Sequence, residues 1–84
     1  MNRASAFILL ELFTFRNYKK VDKFTLSNFR HLVCNYISLS YSYDEFISLL
    51  TSSCISLDKE VCSLCLSFKR YVKKANNIFE GPSF

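Results

Sequence analysis

The first eighty residues contain neither glycine nor proline; the chain's one glycine and one proline are Gly81 and Pro82. Tight β-hairpins draw on such residues to reverse the backbone, so a many-stranded sheet would have almost nothing to turn with. Helices joined by short polar loops have no such need, and that is the architecture the sequence predicts. With 84 residues, half of them apolar and including nine Phe and five Tyr, the chain makes one domain that buries roughly 60% of its unfolded surface.

The clearest helix is 56–75. At 100° per residue Leu57, Val61, Leu64, Cys65, Phe68, Tyr71, Val72 and Ala75 share one face, and Lys59, Ser63, Arg70, Lys73 and Lys74 lie opposite. Ser56 is placed to cap it. Asp58 and Glu60 stand at its positive end, and Lys69, Arg70, Lys73 and Lys74 near its negative end, as the helix dipole favours. Asn76-Asn77 reads as the stop signal, after which Ile78 and Phe79 are the residues able to dock.

Residues 4–18 form a different kind of helix. Their apolar positions cover an arc much wider than one stripe, leaving only Phe7, Glu11 and Thr14 as a narrow polar-side remainder. Such a helix needs cover on two sides: it is either central to the bundle or offers one side for self-association. The alternation Phe13-Thr14-Phe15-Arg16 also admits a strand. A basic connector, 17–24, follows, with Val21 and Phe24 as its anchors. Thr25 then caps a helix with Leu26, Phe29, Leu32, Val33, Tyr36 and Ile37 inward and Asn28, His31, Asn35 and Ser38 outward. Ser42-x-x-Glu45 is a capping box opening a short helix with Phe46, Ile47, Leu50 and Cys54 inward. The expected fold is thus an all-α bundle of about four helices, approximately 4–18, 26–39, 43–53 and 57–75. An uncovered side of the first helix would let dimerisation complete it, and 77–84 would be a partly flexible tail.

No leader is evident, because Glu11 interrupts the apolar run and no small-x-small cleavage site follows; that run is also too short to span a bilayer. Four cysteines without a secretory signal point to free thiols in a reducing, intracellular setting, cytoplasmic or nuclear.

Metal binding is the sharpest chemical candidate. His31-x-x-Cys34 and Cys62-x-x-Cys65 place two ligand pairs at i, i+3, a donor set suited to tetrahedral zinc. Against it, His31, Cys34 and Cys62 fall on polar faces and only Cys65 leans inward, so cysteines acting as small apolar fillers and a solvated histidine account for the set, and no cofactor is expected. A thioredoxin-like use of Cys62 and Cys65 fails because the pair lies inside a helix beside Glu60. Residues 23–33 resemble the second half of an EF-hand, with Phe24 in the loop and Phe29, Leu32 and Val33 in the exiting helix. Counted back to Asn17, the ligand positions hold Asn17, Lys19, Val21, Thr25 and Asn28, and the glycine position holds Asp22, a loop that does not hold calcium in the usual way. For acid–base chemistry, His31 has no carboxylate partner on its helix, and Asp22, Asp44, Glu45, Asp58 and Glu60 sit where capping explains them.

The sequence therefore predicts a non-enzymatic interaction module, of a size that suits a small accessory or regulatory protein, for instance from a virus. Its partner is another protein or a second copy of itself, met along Cys62, Leu66, Lys69 and Lys73 on the outer side of the last helix. The alternative is sequence-independent nucleic-acid binding. With a net charge of +4, the chain concentrates Arg16, Lys19, Lys20 and Lys23 beside Tyr18, and Lys69, Arg70, Lys73 and Lys74 beside Tyr71. Those two patches make a phosphate track if they fall on one side of the fold.

Overall fold

The computed structural model of the protein describes residues 2–55 and 58–80, of 78–80 the backbone alone. Four helices follow one another: α1 (Arg3–Asn17), α2 (Lys23–Leu39), α3 (Tyr43–Ser52) and α4 (Lys59–Glu80), with a single 3-10 turn, Ser53–Ile55, before α4. The expected all-α bundle is what forms, and the strand admitted at 13–16 is instead the second half of α1. No described residue has positive φ, so every described turn is made without glycine.

Each helix start has a local cause. The Asn2 side chain accepts from the Ser5 N–H at 2.8 Å and opens α1. For α2 the cap is Asp22 rather than Thr25: its carboxylate accepts from the Phe24 and Thr25 amides at 3.0 and 3.2 Å, starting the helix three residues early. Thr25 is buried instead, and its hydroxyl donates to Glu60 Oε2 at 3.2 Å, tying α2 to the first turn of α4. Ser42 caps α3 as expected, accepting from the Glu45 amide. The reciprocal arm of the box is shifted by one residue, because Glu45 Oε1 accepts from the Tyr41 amide. At α4 the first turn closes from Cys62 N–H to the Asp58 carbonyl; Ser56, the expected cap, and Leu57 lie outside the described residues. Asn76-Asn77 does not stop α4, which continues to Glu80. Asparagine is only a weak helix former, and nothing at 76–77 removes a backbone donor as proline would. The side chains of Ile78 and Phe79, and residues 81–84, lie outside the described set.

Packing follows the apolar faces. Leu26, Phe29, Val33 and Ile37 of α2 and Val61, Leu64, Cys65, Phe68 and Val72 of α4 are buried, with Leu32, Tyr36, Tyr71 and Ala75 half-buried at the margins. The four outward positions of α2, and Lys59, Ser63, Arg70, Lys73 and Lys74 of α4, are exposed. From α3, Phe46 and Leu50 are buried. Phe68 stands at the centre, with ring centroids of Phe13, Phe29, Phe46 and Tyr71 at 5.1, 5.8, 6.3 and 6.4 Å. One phenylalanine from each of the other helices thus meets Phe68 of α4.

α2 and α4 each touch every other helix, whereas α1 and α3 do not touch each other. The first helix is accordingly lateral, not central. It buries Ala6, Leu9, Leu10, Phe13 and Thr14 against α2 and α4. Thr14, expected outside, is turned in and satisfies its hydroxyl by donating to the Glu11 carbonyl at 2.9 Å. Phe24, expected to anchor the connector, is 75% exposed in the first turn of α2; Val21 is the half-buried anchor. Replacing Phe68 by Ala removes four ring contacts and opens a central cavity, for which we expect a loss of about 3–5 kcal/mol. Urea denaturation followed by circular dichroism measures it, with Phe24→Ala expected to cost far less.

Candidate functional site

Two surface features stand out, and both are set by the lateral position of α1. The first is its outer stripe. Ile8, Leu12 and Phe15, at i, i+4 and i+7, are 60%, 50% and 73% exposed, on the side of the helix turned away from α2 and α4. Phe15 meets Tyr18 with ring centroids 5.7 Å apart. Beside the stripe Glu11 pairs with Arg30 of α2, an exposed ion pair that contributes little to stability.

The second is a groove of about 310 Å³ between the C-terminal part of α1 and the middle of α4. Arg16, Lys20, Arg70 and Lys74 line it together with Phe13 and Tyr71. The Arg16 guanidinium lies over the Tyr71 ring, 5.6 Å from its centroid, and Tyr71 in turn contacts Phe13 at 5.6 Å. The aromatic core thereby forms the wall against which the cations are held. Among the described residues no carboxylate lines the groove. The two basic patches of the sequence therefore do meet, through four of their eight residues. Lys19 lies instead over the Tyr18 ring at 5.8 Å, Lys23 is exposed at the start of α2, Lys69 is half-buried and Lys73 is exposed.

Along the outer side of α4, Leu66 is 37% exposed and Lys73 is open, while Cys62 and Lys69 are half-buried beside the 3-10 turn. The Cys54 thiol of that turn reaches the Leu50 and Cys62 carbonyls, each at 3.7 Å. Burial, then the neighbouring Cys62 thiol, push Cys54 up to about 11, with Lys69 pulling the other way. Cys65 has no exposed surface, and burial, with smaller contributions from Cys54 and Cys62, pushes it up to about 12. Cys34, expected on a polar face, is half-buried against the core. The zinc set is not assembled: His31 is exposed on α2, and among the described residues no three His, Cys, Asp or Glu side chains stand close enough to hold a metal ion.

A cleft of about 470 Å³ fills the gap between α1 and α3, lined among others by Arg3, Ala6, Ile37, Tyr43 and Phe46. Arg3 Nη2 donates to the Ser40 carbonyl at 3.1 Å on its rim, joining the start of α1 to the end of α2. Among the described residues no helix is long and apolar enough to cross a membrane. No protein-family model matches the chain, and neither does any curated protein or solved structure.

The buried Cys65 thiol has a consequence for stability in alkali. Unfolded, it loses its proton near the ordinary value of 9.0; folded, it keeps the proton to about 12. Between those values the native state binds more protons than the unfolded one. Stability is therefore complete below pH ~9 and falls as pH rises, by up to about 1.4 kcal/mol per unit from this group. Urea midpoints measured from pH ~8 to ~10.5 should fall more steeply for the wild type than for Cys65→Ala, and equal slopes would show that Cys65 is not the buried thiol.

Proposed function

We propose that this protein is a small non-enzymatic interaction module whose contact surface is the outer stripe of α1. One observation carries the reading: Ile8, Leu12 and Phe15 stay half or more exposed on a helix that, among the described residues, packs against two neighbours, α2 and α4. Leaving three large apolar side chains half to three-quarters in water forgoes a corresponding share of the about 1.5–3 kcal/mol that full burial of each is worth. Their i, i+4, i+7 spacing is that of a seam between paired helices. A second copy of the chain supplies a matching stripe, so self-association through α1 against α1 is the simplest use of the surface. The line Cys62, Leu66, Lys69 and Lys73 on α4 supports the reading less, since Leu66 is its one exposed apolar residue and Cys62 and Lys69 are partly covered.

Sedimentation across a wide concentration range tests this. The wild type should shift from monomer to dimer as concentration rises, and Leu12→Glu should remain monomeric, with a melting temperature equal to the wild type's at concentrations where both are monomers, because Leu12 lies outside the core. A wild type that stays monomeric throughout would sink the proposal.

A further inference from the structure

We infer that the groove between α1 and α4 binds the phosphate backbone of a single-stranded nucleic acid. The site goes beyond the proposed contact surface, because it opens between α1 and α4 whereas the stripe faces away from both.

Four cations from stretches fifty residues apart in sequence converge on this groove, and no carboxylate among the described residues lines it to offset them. Their mutual repulsion opposes the packing that gathers them, and an anionic ligand relieves it. The commonest innocent cause of a basic cluster on a helix is complementation of the dipole at its last turn. That cause accounts for Arg16, which stands in the last turn of α1, but not for the pair on α4: this helix runs on to Glu80 and has no basic residue in its last turn, which leaves Arg70 and Lys74 inside it, beyond the short reach of the dipole. Arg70 and Lys74, one helical turn apart on α4, form one bank; Arg16 at the end of α1 and Lys20 in the turn that follows it form the other. Two banks of cations suit a run of phosphates better than a single anion.

Tyr71 directs the choice towards an unpaired strand. Its ring stands beneath the Arg16 guanidinium, 5.6 Å from the centroid, so a base entering the groove meets an aromatic ring and a cation together, partners on which its face can stack. Bases offer their faces in this way only when they are not stacked in a duplex. Such contacts tolerate any base, so binding is independent of sequence.

Fluorescence anisotropy with a labelled oligouridylate tests the site, alongside a duplex of the same length and polyglutamate as competitor. Lys20→Gln/Lys74→Gln removes two charges from exposed positions of the groove without touching the core. Lys23→Gln/Lys59→Gln removes the same charge from residues that do not line it. We expect the wild type to bind the single strand in preference to the duplex. The groove variant should lose roughly tenfold or more in affinity at low salt, and its slope of log affinity against log salt should be shallower by about 1.4. The control variant should lose much less, and Leu12→Glu should keep binding. The inference is overturned by no binding at low salt, by equal losses in the groove and control variants, by tighter binding of the duplex, or by competition from polyglutamate as strong as from unlabelled oligouridylate.

Discussion

The ring of Phe68 is the contact on which the arrangement of the bundle depends. Phe13, Phe29 and Phe46 reach it from the three other helices, two of them edge-on, and Tyr71 lies against it from one turn further along α4. Each such aromatic pair contributes about 0.5–1.5 kcal/mol beyond the area it buries, and each has a preferred geometry that a plain aliphatic contact lacks. An aliphatic core of this size would hold the helices together. A ring cluster also restricts how far each can roll about its own axis.

That restriction matters most for α1, which has apolar residues on nearly every side and so little preference of its own for which to bury. Phe13 settles the matter: once its ring meets Phe29, Phe68 and Tyr71, Leu9 and Leu10 are turned inward and Ile8, Leu12 and Phe15 outward. The same rotation carries Arg16 over Tyr71, and the turn that closes on Asn17 after α1 brings Lys20 to the groove. One aromatic contact therefore sets both the uncovered stripe and the convergence of the cations. The two proposed surfaces are consequences of a single packing decision, and a change at Phe13 would disturb both.

Much of this was legible in the sequence, in proportion to how local its cause is. The faces of α2 and α4 follow from a clean 3.6-residue period, and the start of α3 from Ser42 and Glu45. Asp22 and Thr25 are both able to cap α2, and the choice between them goes with Glu60, thirty-five residues away, whose carboxylate gives the buried Thr25 hydroxyl a partner. Asn76-Asn77 looked like a stop because asparagine often follows a helix, yet nothing in the pair obliges the backbone to leave it. Thr14 is turned inward against its polar pattern because a threonine can satisfy its hydroxyl on its own helix and so be buried at little cost. The lateral position of α1 had no sequence signal, since a wide apolar arc is equally suited to a central helix and to one with a free face. The basic groove was foreseeable only as two patches, because their meeting depends on α1 packing against α4.

The most direct test of this account is the set of nuclear Overhauser effects among the aromatic rings in a selectively labelled sample. Cross-peaks from the Phe68 ring to Phe13, Phe29 and Phe46, together with one between Phe13 and Tyr71, are the predicted result. Cross-peaks from Phe68 to Phe15 in place of Phe13 would mean that α1 is rolled to its other face, and both the stripe and the groove would then be wrongly assigned.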